Sequence, residues 1–242
     1  LRLDPRDEAL VRTVAAANPR TVVVLTGGGA IISEAWRHDV PAILLLWYPG
    51  MEGGHALADV VFGRVSPSGR MPFTVPTDHA HLPTFDPRAT QVTYDLWHGY
   101  RLLNRNGWDA AFPFGFGLSY TTFEYAALDV TATEGGLSIG VDVTNTGDRP
   151  ADEVVQVYVE PPGAVVERPV RQLAGFARVS TLPGTTIRAH VDVGWRTLAY
   201  FDEARDCFVV EPGQTRVLVA RHAQAPPSVE TVLSLQERTV PG

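Results

Sequence analysis

The chain has 242 residues, a formal net charge of −7 and 45% hydrophobic residues, enough apolar material for the cores of two domains. No basic run could neutralise successive phosphates, which argues against nucleic acid as a partner, and the longest apolar stretches, Val22 to Leu25 and Ala42 to Trp47, fall far short of the roughly 20 residues that cross a bilayer. All 20 basic residues are arginine, which rules out Schiff-base catalysis by lysine and reads as the bias of a GC-rich bacterial genome, while the single cysteine, Cys207, rules out an intrachain disulfide and a cysteine metal cluster.

Leu1 is not a natural initiator, so an upstream segment is expected and the compartment, cytoplasmic or secreted, stays open. Asp4-Pro5 opens a helix, with Leu10, Val11, Val14 and Ala17 at helical spacing and Asn18-Pro19 as its stop. Thr21 to Thr26 is a β-branched strand ending at Gly27-Gly28-Gly29. Ala30 to Arg37 reads as a short helix, and Ala42 to Trp47 as a second, buried strand, which together predict a parallel βαβ unit. A third helix, Gly53 to Phe62, carries Leu57, Val60 and Val61 on one face and stops at Gly63. Residues 1–76 therefore form a partial α/β layer.

Residues 77–123 are rich in Pro, Gly, His and aromatics without a sustained period, so they read as an extended connector. Beyond Phe123 the period becomes two. Leu137, Ile139, Val141 and Val143 alternate with polar or small residues, and Val155, Val157, Val159 and Ile187, Ala189, Val191, Val193 repeat the pattern. Turn signals such as Glu134-Gly135-Gly136, Pro161-Pro162-Gly163 and Glu211-Pro212-Gly213 separate the runs, so residues 124–221 predict a β-sandwich of about seven strands, each with one buried face, on the immunoglobulin-like plan. Residues 222–242 have no strong pattern and read as a tail. The fold class is α/β plus all-β.

Several motifs lack the context their chemistry requires. The Gly27-Gly28-Gly29 turn lies between strand and helix, where a phosphate would sit, but the third glycine of a dinucleotide fingerprint would fall on Ile32, and a P-loop lysine is absent. A tight turn is the better account. His79, His81 and His98 lack a complete ligand set and read as solvated loop residues, so no metal centre and no cofactor are expected. Ser119 is no nucleophile elbow, because Thr121 replaces the second glycine. The segment Trp47-Tyr48-Pro49-Gly50-Met51-Glu52-Gly53-Gly54-His55 is different: it leaves the carboxyl end of a strand, where open α/β sheets meet ligands, and joins two rings to a carboxylate. Trp47, Tyr48 and Glu52 are candidate sugar-binding residues; the alternative is that Glu52 caps the next helix while the rings pack between layers.

At this segment the chain resembles glycoside hydrolase family 3. The likeness rests on Trp47-Tyr48-Pro49-Gly50 with Glu52-Gly53-Gly54, on Ala58-Asp59-Val60-Val61-Phe62-Gly63, and on Pro67-Ser68-Gly69-Arg70-Met71-Pro72. His98-Gly99-Tyr100-Arg101 and Phe112-Pro113-Phe114-Gly115-Phe116-Gly117-Leu118-Ser119-Tyr120-Thr121-Thr122-Phe123 are similar to the family's linker into its fibronectin type III-like domain, and Arg168-Pro169, Leu173-Ala174-Gly175-Phe176 and Pro183-Gly184 to that domain. The resemblance implies a (β/α)8 barrel and an α/β sandwich ahead of the final domain. It also implies a retaining β-glucosidase, or next a β-xylosidase, with a barrel Asp as nucleophile and a Glu of the sandwich domain as acid/base, about 5 Å apart. Leu1-Arg2-Leu3 resembles the stretch just after the acid/base region, so both carboxylates are expected upstream and no catalytic residue is assigned here. Where the family commonly has an acidic residue and Gly before His98, this chain has Asp95-Leu96-Trp97, so no substrate contact is carried over to that stretch. The implied partners are a β-linked oligosaccharide or aryl glycoside and the missing N-terminal barrel; the alternatives are a noncatalytic carbohydrate- or protein-binding module and a subunit completed by a separate barrel chain.

Overall fold

The computed structural model describes residues 1–163 and 165–240. Helix α1 (Pro5–Ala17) begins where the Asp4 carboxylate accepts the Arg6 backbone N–H at 2.9 Å, satisfying a donor at the helix start, and ends at Asn18. Strands β1 (Val22–Leu25) and β2 (Ala42–Leu45) pair in parallel, Val22 opposite Ala42 and Leu25 opposite Leu45. The helix expected over Ala30 to Arg37 is not formed. Ile32 instead donates its N–H to the Leu1 carbonyl, and Trp36 and Arg37 both bond back to the Ser33 carbonyl, giving a single turn pinned by the buried Ile32 and Trp36. One turn barely repays helix nucleation, so burying these two side chains decides the conformation. Helix α2 (Gly53–Val61) follows, and Gly63 takes a left-handed φ of +71° behind it.

The connector has more structure than its irregular composition predicts. Strand β3 (Val75–Pro76) pairs antiparallel with β4 (Ala110–Phe112), a 3-10 turn covers His79–His81, and helix α3 (Tyr100–Asn106) lies between Gly99 and the left-handed Gly107. Ten further strands follow. They are β5 (Phe123–Ala132), β6 (Gly136–Asn145), β7 (Ala151–Glu160), β8 (Gln172–Thr181), β9 (Thr186–Gly194), then, after the short helix α4 (Trp195–Leu198), β10 (Ala199–Asp202), β11 (Cys207–Val210), β12 (Gly213–Ala220), β13 (Pro227–Leu235) and β14 (Arg238–Val240). Sheets β5-β6-β9 and β13-β12-β7-β8 face each other, and β10-β11-β14 forms a small third sheet. Leu137, Ile139, Val141, Val143, Val155 and Val157 are fully buried between the two large sheets, as their alternation requires.

The segment from 222, read as a tail, supplies β13 along the edge of β12, and β14 beside β11. Strand β7 also buries both faces rather than one, because Gln156 and Tyr158, pointing away from the sandwich core, lie under the connector. Tyr158, Leu218, Ala220, Ala223 and Ala225 form a second core with Tyr100 and Phe114 packed on it. Polar contacts fix this docking: Arg70 makes a two-pronged pair with Glu153 at 2.9 and 2.8 Å, and Gln156 Nε2 donates to the Gly115 carbonyl at 3.0 Å. Tyr120 Oη donates to the Val60 carbonyl at 2.8 Å, tying the connector to α2.

Candidate functional site

Strands β1 and β2 end side by side, and the chain segments leaving their carboxyl ends meet. Leu46 N–H donates to the Leu25 carbonyl at 2.9 Å and Gly27 N–H to the Trp47 carbonyl at 3.2 Å. The Gly27-Gly28-Gly29 turn is thus set against the Trp47 to His55 loop. A Cβ at position 28 would stand 2.7 Å from Cε2 of Tyr48, so glycine is needed there to let the tyrosine ring approach. This contact accounts for the glycine at position 28.

Trp47 is half-buried, with its ring edge-on to Phe73 at 5.2 Å between centroids. Its backbone φ of +57° is left-handed, a conformation that costs a bulky residue on the order of 1–3 kcal/mol and is held only where the surroundings dictate it. Tyr48 is 78% exposed apart from its contact with Gly28. Glu52 occupies the N-cap position of α2 but makes no capping hydrogen bond; its Oε2 lies 2.7 Å from Nδ1 of His55, and both side chains are open to solvent. Gly53 packs against the Pro49 ring, since a Cβ there would come within 2.5 Å of it, and Gly50 turns the loop with a φ of +69°.

The structure therefore brings Trp47, Tyr48 and Glu52 onto one loop at the carboxyl edge of a parallel sheet, the edge at which open α/β sheets generally meet ligands. The capping alternative for Glu52 and the interlayer alternative for Tyr48 do not describe it; Trp47 does pack, through one edge. Between Trp47 and His55 the only acid is Glu52, and a retaining site needs two carboxylates, so this loop cannot build one alone. The loop can present ring surface and one hydrogen-bonding carboxylate to a polar, neutral ligand. Sequence reading did not single out His55 as the partner of Glu52 or Phe73 as the wall behind Trp47. The i, i+3 spacing at a helix start was a legible signal for the first pair; nothing in the sequence joins positions 47 and 73. Among the described residues, no group of three or more His, Cys, Asp or Glu is placed to hold a metal ion.

Residues 1–120 match the glycosyl hydrolase family 3 C-terminal domain, and residues 153–223 match a fibronectin type III-like domain. A beta-glucosidase of Rhizobium radiobacter is 43% identical over 236 residues, covering 92% of this chain and 29% of that protein. The crystal structure of a beta-glucosidase from Kluyveromyces marxianus in complex with glucose superposes with a TM-score of 0.92 at 36% identity, covering 99% of this chain and 30% of that one. A family 3 beta-glucosidase from Bifidobacterium adolescentis gives a TM-score of 0.91 at 34% identity, over 98% and 36% of the two chains. The chain thus spans about a third or less of the length of these proteins.

Proposed function

We propose, from the premise that this chain belongs to glycosyl hydrolase family 3 and carries its C-terminal domain followed by a fibronectin type III-like domain, that the complete protein hydrolyses terminal non-reducing β-linked glucosides with retention. The observation that carries this is the likeness, over nearly the whole chain, to beta-glucosidases from a bacterium and a yeast. β-Xylosides are the next substrate class. In this reading a barrel Asp and a sandwich-domain Glu, both supplied by sequence ahead of Leu1, act on the glycosidic bond, and the 242-residue chain contributes support and part of the pocket wall through Trp47, Tyr48 and Glu52.

The state of the α/β layer supports an absent complement. Leu10 and Val14 of α1, Val22 and Val24 of β1, and Val61 with Phe62 at the end of α2 are all exposed, and the sheet of this layer has only two strands, which is marginal by itself. The bacterial source is part of the same proposal and rests on the arginine bias, because the relatives include both bacterial and fungal proteins.

An aryl β-glucoside assay tests the assignment. The 242-residue chain alone is expected to give no turnover, and the protein extended upstream to the relatives' length is expected to be active. Turnover by the chain alone that survives repurification and disappears in Glu52→Gln would overturn the assignment and make Glu52 the acid/base. In the complete enzyme, Trp47→Ala is expected to lower kcat/KM by the equivalent of about 1–3 kcal/mol. An unchanged kcat/KM with a lowered unfolding midpoint would remove Trp47 from the pocket and leave it as packing against Phe73.

A further inference from the structure

The segment between β12 and β13, Arg221 to Pro226, lies between the sandwich and the connector and bonds to both. Toward the connector, Ala223 N–H donates to the Phe114 carbonyl at 3.0 Å and Asn104 Nδ2 donates to the Ala223 carbonyl at 3.3 Å. Gln224 is the central link: its Oε1 accepts the Ala110 N–H at 3.0 Å and its Nε2 donates to the Trp108 carbonyl at 2.8 Å. Toward the sandwich, Gln156 Nε2 donates to the Arg221 carbonyl at 2.9 Å and Arg171 donates to the Ala225 carbonyl at 2.6 Å.

His222 orients this link. Its Nδ1 accepts the backbone N–H of Gln224 at 3.3 Å, while its half-buried ring packs against Phe116 at 5.8 Å between centroids. An imidazole nitrogen that accepts an N–H carries no proton, so the contact exists only for the neutral ring. A proton on Nδ1 would set two donors against each other. We propose that His222 is a pH-sensitive pin, and that its protonation unhooks Gln224 and releases Trp108 to Ala110 of the connector from the segment Arg221 to Pro226 without unfolding the sandwich core.

The charged groups facing the ring are unfavourable to that proton. Arg221 on the same segment and Arg171, from the stretch ahead of β8, are both cationic, and Phe116 on the connector brings no charge. Arg171 is itself engaged by Glu160 at 3.0 Å and lies over the ring of Tyr158, whose hydroxyl is kept un-ionised by burial. Burial first, then Arg171 and Arg221, hold the His222 pKa below its ordinary 6.5. A depressed pKa in the folded state means that the unfolded chain binds the proton more readily. The contribution of neutral His222 is therefore complete above about pH 6.5 and is lost progressively as pH falls from there through the folded-state value.

Amide hydrogen exchange of the 242-residue chain at about pH 7.5 and about pH 5.5, corrected for the intrinsic rate, reads the pin directly. Protection of Ala110 and Ala223 is expected to fall at the lower pH, while Val141 and Val157 keep theirs. His222→Gln offers an uncharged acceptor and is expected to hold the protection of Ala110 and Ala223 at both pH values, so the comparison of the two proteins removes every other effect of acid. Gln224→Ala is expected to lower the protection of Ala110 at both pH values alike. An equal acid loss in wild type and His222→Gln, a loss shared by Val141 and Val157, or no acid loss at all would overturn the proposal. If His222→Gln does not fold, the contrast within the wild type between Ala110 and Val141 decides the matter. Because the readout is protection and not catalysis, the result is independent of the glucosidase assignment.

Discussion

Arg70 and Glu153 meet across the junction between the α/β part and the sandwich, both almost completely buried. Tyr125, hydrogen-bonded to Glu153, has its hydroxyl pKa raised, chiefly by burial, so it stays neutral and serves the carboxylate as a donor. Removing one charge leaves the other stranded in a dry site, so Arg70→Met is expected to cost about 3–5 kcal/mol in urea unfolding. The double variant Arg70→Met with Glu153→Leu is expected to recover most of that loss, because two apolar groups of similar volume leave nothing uncompensated. A double variant as unstable as the single one would show that packing rather than charge holds the junction. Such a pair is invisible in sequence, since nothing marks residues 83 positions apart as neighbours. The helix cap at Asp4 was legible because its chemistry is local, and the break in structure at Trp47 to Glu52 because Pro49 and Gly50 follow directly on a strand.

The legible elements were those whose burial follows one simple period. Strands β6 and β9 lay where alternation placed them, β7 did so in position although its second face is buried too, and α2 ended at the glycine its pattern required. Strand β13 escaped because Thr231 faces inward while Val232 points to solvent, which breaks the apolar alternation that a sequence can show. The helix expected at Ala30 to Arg37 failed for the opposite reason: its apolar residues are buried individually by a turn. Ending the chain after Pro226 is expected to leave the edges of β12 and β11 unpaired, with aggregation read by light scattering and a lowered unfolding midpoint. At Gly115 the backbone is left-handed with φ +83°, and a Cβ there would collide with Gln156 Oε1. Gly115→Ala is therefore expected to cost about 1–3 kcal/mol in chemical denaturation, and a neutral result would mean that the connector lifts away without consequence.

At the scale of the molecule, stability is distributed unequally. The sandwich has a continuous core between two sheets, whereas α1 has no buried residue and the β1–β2 sheet has apolar side chains open on its surface. Amides of Val23 and Val24 are thus expected to exchange through openings much smaller than those that expose Val141, and to become protected in the upstream-extended protein. Equal protection of both groups in the 242-residue chain would contradict the need for a complement. The two-faced burial of β7 also bears on how the protein can be divided. A sandwich excised at residue 123 would uncover Tyr158, Leu218 and Ala220 together and strand Glu153 and Gln156 without their partners Arg70 and Gly115. The transferable unit is therefore not the sandwich but the sandwich with its wrapping, from about Ser66 onward, and a chimera joined inside that wrapping inherits a wound on the outer face of a sheet whose inner face is sound.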